Sequence, residues 1–190
     1  MVSDALVLGF DTSAAHCAVA LLGGGRVLAA RAEEMGRGQA ERLLPLLEEV
    51  LAGGGASWRD LTRIGVGIGP GNFTGIRISV AAARGLALAL DIPAIGVSSF
   101  DAIRAGGGPG TAAVPAPQGM AHLDRPAPAL VPTGSLRDPL WPPAPVELAR
   151  RIADLAQRAP ADSPPPAPLY LRPADAAPSR DAPPVILDDA

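Results

Sequence analysis

The sequence predicts an α/β fold on a mixed sheet, with its elements in the order β-β-β-α-β-α-β-α over about residues 5 to 104. Three observations carry this expectation. Short apolar runs at the start are separated by polar or glycine turns. A stretch with leucines at helical spacing comes next. An apolar strand then passes through a glycine-dense turn directly into a second helix.

Taken in order, Leu6 to Phe10 is an apolar run, Asp11-Thr12-Ser13 a polar turn, and Cys17 to Leu22 apolar again. Gly23-Gly24-Gly25 then turns into Arg26 to Glu33, which completes an antiparallel meander. Gln39 to Ala52 places Leu43, Leu44, Leu46, Leu47, Val50 and Leu51 on one side of a helix. Pro45 should kink that helix or mark its true start, since proline deletes a hydrogen bond and crowds the preceding turn. Ser57 and Asp60 have capping-box spacing for a short helical turn. Arg63 to Ile68 is the strand that feeds the turn Gly69-Pro70-Gly71-Asn72-Phe73-Thr74-Gly75. Thr74 is placed to cap the helix through Leu90. Ile92-Pro93 ends that helix, Ala94 to Val97 is a further strand, and Ser98 with Asp101 opens a third helix through about Arg104.

The remainder differs in composition. Proline is concentrated after residue 108, and from Gly106 to Pro145 the pattern collapses into Gly, Pro and Ala with almost no period. Little regular structure is expected there. Val146 to Arg158 recovers helical spacing, Leu169-Tyr170-Leu171 is strand-like, and the tail from Arg172 is polar and proline-rich. The expected division is a first lobe over residues 1–105, a Gly/Pro-rich linker over 106–145, and a reduced C-terminal segment over 146–190.

Charge and residue usage narrow the function classes. All 16 basic residues are Arg and the formal net charge is −3, so no broad basic surface is available to hold a polyanion unaided. The single Cys17 cannot form an internal disulfide, and Met1 is followed by no secretory leader pattern, from which a cytoplasmic location is expected. The apolar window from Ile76 to Leu90 is interrupted by Arg77 and Arg84 and is too short to span a bilayer. His16 and His122 are the two histidines, far apart in sequence and outside any HExxH pattern, so neither a metal centre nor a cofactor is expected.

Two stretches carry candidate chemistry. The Asp11-Thr12 turn and the glycine loop, through Gly69, Gly71 and Thr74, could hold a phosphate at the start of a helix. The Walker-type pattern and its lysine are absent, and a tight turn held by Asx hydrogen bonds explains the same residues. On the helix after the loop, Arg77, Ala81, Arg84 and Leu88 fall on one stripe and Ile76, Val80, Ala83 and Ala87 on its neighbour. Small residues on such a helix allow another helix to approach closely, either from a partner or from a second copy of the chain.

Several motifs together resemble the bacterial TsaB proteins. They are Gly9-Phe10-Asp11-Thr12-Ser13, Gln39 to Pro45, Gly69 to Ile78, Ile92-Pro93 and Val97-Ser98-Ser99, in order and spacing over about residues 5 to 104. Leu169 to Pro173 and Asp175 to Pro178 look like that family's closing segment. The resemblance implies an actin-like ATPase (ribonuclease H-like) lobe with a reduced second lobe. It implies a cytoplasmic, non-catalytic subunit of the machinery that makes threonylcarbamoyl-adenosine in tRNA. Such a subunit pairs with TsaD, which carries the metal and the transfer chemistry, while TsaE joins as an ATPase and tRNA is met through the complex. The implied interface combines Arg77, Val80, Ala81, Arg84 and Leu88 with Leu43 and Leu47, and a homodimer when the chain is alone. Gln39 stands where the family often has His, and the stretch from Arg104 to Val146 lacks the family's usual Asp-Ala-Arg segment. The competing expectation is an ATP-using enzyme of the same fold, a small-molecule kinase or acyltransferase.

Overall fold

Alternation of large and small residues along the first strands determines how the molecule is layered. The computed structural model of the chain describes residues 5–160 and 162–171. In it β1 (Val7–Asp11), β2 (His16–Gly23) and β3 (Arg26–Glu34) form an antiparallel meander. β4 (Arg63–Gly67) adds parallel to β1, and β5 (Ala94–Val97) adds parallel to β4, giving the order β3-β2-β1-β4-β5. The mixed sheet expected from the sequence is therefore present, with strand ends within a residue or two of those predicted.

Side chains alternate across a strand. Leu8, Phe10, Cys17, Val19, Leu21, Ile64 and Val66 all point to one face. There they bury against Leu43, Leu46, Leu47, Val50 and Leu51 of α1 (Gln39–Gly53) and Ala83 of α2 (Phe73–Leu90). The opposite face carries small residues, among them Ala18, Ala20, Gly9 and Gly65. It receives α4 (Pro145–Arg158) through Ala149, Ala153 and Ala156. The approach is close. A Cβ built on Gly9 would lie 2.6 Å from both Ala149 O and Ala153 N, and one on Gly65 would lie 2.8 Å from the Ala156 Cβ. The Arg63 guanidinium donates to the carbonyls of Ala156 at 2.7 Å and Ala159 at 2.5 Å. It thereby satisfies acceptors that the end of a helix leaves without partners.

Several expectations are corrected. Pro45 does not mark the start of α1, which begins at Gln39 behind Gly38 in the left-handed region at φ 83° and contains Pro45. α2 is capped by Asn72, whose side chain accepts from Gly75 N at 2.8 Å, and Thr74 lies inside the first turn. With 18 residues, α2 is long and apolar enough by length and composition to cross a membrane, contrary to the shorter window read from the sequence. Here Ile76, Val80 and Ala83 are buried against the rest of the lobe. The short turn at Trp58–Asp60 and α3 (Ser99–Arg104) carry the expected Ser–Asp caps.

The stretch 106–145 holds more regular structure than its composition suggests. β7 (Val114–Ala116), β8 (Met120–Leu123) and β9 (Ala129–Pro132) form an antiparallel meander. β6 (Thr111–Ala112) pairs with β10 (Pro139–Leu140). Ala112 and Val114 gain their burial from Phe100 and Ile103 of α3, a contact that no local window contains. Leu169 to Leu171 forms no strand, and its backbone is tied by a bond from Leu169 N to Ile68 O at 2.8 Å. The tail from Arg172, including most of the closing segment quoted above, lies outside the described residues.

Candidate functional site

The turn after β1 and the glycine loop before α2 are brought together, because β1 and β4 are neighbours in the sheet and both loops leave from the same end. Asp11 is buried. Its Oδ1 accepts from Ser13 N at 3.0 Å, Ser13 Oγ at 2.9 Å and the His16 Nε2 at 2.8 Å. Thr12 Oγ1 donates to Gly75 O at 2.6 Å, and Asn72 N donates to Ser13 O at 2.6 Å. Both contacts need glycine opposite: a side chain on Gly71 would meet Ser13 O, and one on Gly75 would meet Thr12 O. The turn thus crosses and clamps the loop.

Gln39, at the start of α1, completes the clamp. Its side-chain amide donates to Ala14 O at 2.7 Å and His16 O at 3.1 Å, holding the turn from the side of the first helix. Sequence reasoning noted this residue as a departure from a pattern and missed its work. On the far side Ser99 Oγ donates to Pro70 O at 3.1 Å and Ser79 Oγ to Gly67 O at 3.2 Å. Among the described residues no buried side-chain nitrogen or oxygen lacks a partner.

The phosphate candidates separate on this geometry. Asp11 and Thr12 are buried, with Asp11 Oδ1 and Thr12 Oγ1 engaged within the clamp, and Gly69 carries the turn itself at φ 90°. Thr74 is exposed on the first turn of α2. Gly71 alone of the five reaches the wall of a cleft of about 1140 Å³, which opens between this end of the sheet and the segments around β7, β8 and Trp141. His16 and His122 both line the cleft, although they lie far apart in sequence. No group of three or more His, Cys, Asp or Glu able to hold a metal is found among the described residues.

Phe73 and Tyr170, which both line the cleft, have ring centroids 4.9 Å apart. The Arg77 guanidinium lies 3.8 Å from the Phe73 centroid and donates from Nε to Tyr170 OH at 2.8 Å. This cation–π and hydrogen-bonded cluster ties the start of α2 to the end of the described chain.

The expected interface residues divide by burial. Ala81, Arg84 and Leu88 are exposed on α2 and flank Gly85, beside which there is open space; Leu88 is 86% exposed. Arg77 is exposed at the edge of the same surface. Val80, Leu43 and Leu47 are corrected: they are buried at 4%, 1% and 0% exposure and belong to the chain's own core. The α1 register instead presents Leu44 to the outside, at 47% exposure. Cys17 lies inside β2, where burial, reinforced by the Glu33 carboxylate, pushes its thiol up to about 11. It stays protonated and unreactive at neutral pH.

Comparison with known proteins bears on the same residues. Residues 31–118 match the family described as "TsaD: tRNA N6-adenosine threonylcarbamoyltransferase". The tRNA threonylcarbamoyladenosine biosynthesis protein TsaB of Escherichia coli K12 is 40% identical over 94 residues, covering 50% of this chain and 40% of that protein. The TsaB protein of Bacillus subtilis is 36% identical over 101 residues, covering 53% and 44%. The chain therefore spans less than half the length of these curated relatives. Among solved structures, YeaZ from Pseudomonas aeruginosa superposes with a TM-score of 0.58 at 28% identity, over 70% of this chain and 69% of that one. An uncharacterized protein with similarity to YeaZ, also described from Pseudomonas aeruginosa, gives a TM-score of 0.66 at 25% identity, over 88% and 100%.

Proposed function

We propose that the chain is a member of the TsaB family and serves as a non-catalytic subunit in the synthesis of threonylcarbamoyl-adenosine in tRNA, pairing through the outer face of α2 with TsaD. One observation carries the reading: the exposed Ala81, Gly85 and Leu88 stripe, which offers a second helix a close approach. TsaE would join that complex, and tRNA would meet the chain within it. Alone, the same face would pair two copies. The non-catalytic assignment draws support from the clamp, which commits Asp11 Oδ1 and the Thr12 hydroxyl to internal hydrogen bonds within a buried turn.

Co-expression with tagged TsaD and affinity capture tests the pairing. The parent chain should be retained, and Ala81→Glu should be lost. A charge buried without a partner in such a contact costs several kcal/mol, enough to move a micromolar association beyond detection. Ala81 is exposed, so the melting temperature of the free variant should equal that of the parent. Retention of both Ala81→Glu and Leu88→Glu by TsaD would overturn the assignment of this face.

A further inference from the structure

β3 is an edge of the central sheet. In the order β3-β2-β1-β4-β5, β2 pairs with one side of it, and among the described residues no strand pairs with the other. The strand runs nine residues, from Arg26 to Glu34, without a proline. An edge of this length is a template for a further strand unless charge or a bulge blunts it. A bulge does interrupt its start: the register with β2 shifts between Leu21 and Leu22 and leaves Leu28 without an opposite residue. From Ala29 to Glu34 the register is unbroken.

Hydrogen-bond parity shows which groups this stretch presents outward. Met35 N donates to Ala15 O at 3.0 Å, one residue beyond the opposed Glu34 and His16. Backbone groups alternate from side to side along a strand, so Glu33, Arg31 and Ala29 bond to β2. The N–H and C=O of Ala30, Ala32 and Glu34 therefore face away from it. Side chains alternate between the faces as well. Ala29 packs into the core under α1, which puts Arg31 and Glu33 on that face, while Ala30 and Ala32 pack on the side of α4.

The charges select what fits this edge. A second β3 laid antiparallel and centred on Arg31, Glu33 or Glu34 would set like charges face to face, which destabilises a ladder. Centring on Ala30 would run the pairing into the bulge. Centring on Ala32 puts Arg31 of each copy opposite Glu33 of the other, and makes Ala32 with Ala32 and Ala30 with Glu34 the hydrogen-bonded pairs. The Arg31 and Glu33 side chains are 55% and 26% exposed, so both can be reached. Val27 and Leu28, also exposed, add apolar area beside the path of the second chain beyond its Glu34.

We propose that β3 pairs with β3 of a second copy, antiparallel about Ala32, joining two five-stranded sheets edge to edge. Strand pairing alone buries less than a standard interface, so the dimer forms in the micromolar range or above. α2 packs against β4, three strands away, so the contact leaves the outer face of α2 free and does not depend on pairing with TsaD.

The experiment is sedimentation equilibrium of the full chain carrying Ala81→Glu, which silences the α2 face, from micromolar to near-millimolar concentration. The average mass should rise toward that of a dimer. Ala32→Pro removes an outward N–H and no bond to β2; it should weaken dimerisation by more than about tenfold and leave the melting temperature near the parent's. Arg31→Glu and Glu33→Arg should each weaken it by about tenfold alone. An equimolar mixture of these two should recover the parent's association, because pairing one with the other restores both opposite-charge contacts. A chain that stays monomeric throughout, a dimer that none of these substitutions weakens, or a mixture that fails to recover would overturn the proposal. Hydrogen exchange over residues 29–34 should slow as concentration rises. Slow exchange at every concentration would place a segment of the same chain on this edge and would overturn it too.

Discussion

Gly9 and Gly65 face each other across β1 and β4, and their missing side chains let α4 lie directly on the sheet. Replacing Gly9 by Val would drive a branched side chain into the backbone at Ala149 and Ala153. Overpacking of this kind costs about 1–3 kcal/mol, sometimes more. A lower urea midpoint at unchanged slope would report it, and an unchanged midpoint would mean that α4 moves away freely. The sequence showed Gly9 within a motif but not its purpose, because its contacts lie about 140 residues further along the chain. Asp11 and Thr12 were legible as a turn, since an Asx bond is local, whereas the Thr12–Gly75 and Gln39–Ala14 bonds close across distances that no window covers.

At the scale of elements, those with a strong period and local caps were placed from the sequence almost to the residue. β5 and α3 are examples, with Ser98 accepting from Asp101 N at 3.0 Å. The short strands β6 to β10 were not legible, because two to four residues show no period, and Ala112, Val114 and Leu140 are covered by α3 and the 169–171 segment. α4 was found as a helix, but its place on the sheet was missed. Arg151 ties it to α3 by donating to Ala102 O and Ile103 O at 3.2 Å, and is itself oriented by Glu147 within α4, which also binds Arg150. The Arg150 hydrogen bond, with Arg151 reinforcing it, holds the Glu147 carboxyl down at about 2. A depressed carboxylate stabilises the fold above its unfolded value near 4.5 and loses that contribution as pH falls toward 2. Glu147→Gln should therefore flatten the fall in melting temperature between about pH 4.5 and 2. Parallel curves for parent and variant would show that the pair adds nothing to stability.

The molecule is organised around a five-stranded sheet whose two faces are covered from different parts of the chain: α1 and α2 from within the first hundred residues, α4 from beyond residue 144. A fragment of residues 1–105 would leave Val7, Ala18, Ala20, Leu22 and Ile95 uncovered. It should aggregate or fail to melt cooperatively, and adding a peptide of residues 144–160 should recover a cooperative transition; a monomeric, cooperative fragment without the peptide would refute this. The same arrangement has a consequence during synthesis on the ribosome. About sixty residues separate the end of β5 from the end of α4. At roughly 5–20 residues per second the nascent sheet waits about 3–12 seconds with one apolar face open. That face carries Gly9, Gly65, Ala18 and Ala20 beside Val7, Leu22 and Ile95, with fewer large side chains than the face under α1, so while it waits the growing chain offers chaperones and neighbouring polypeptides its less adhesive side.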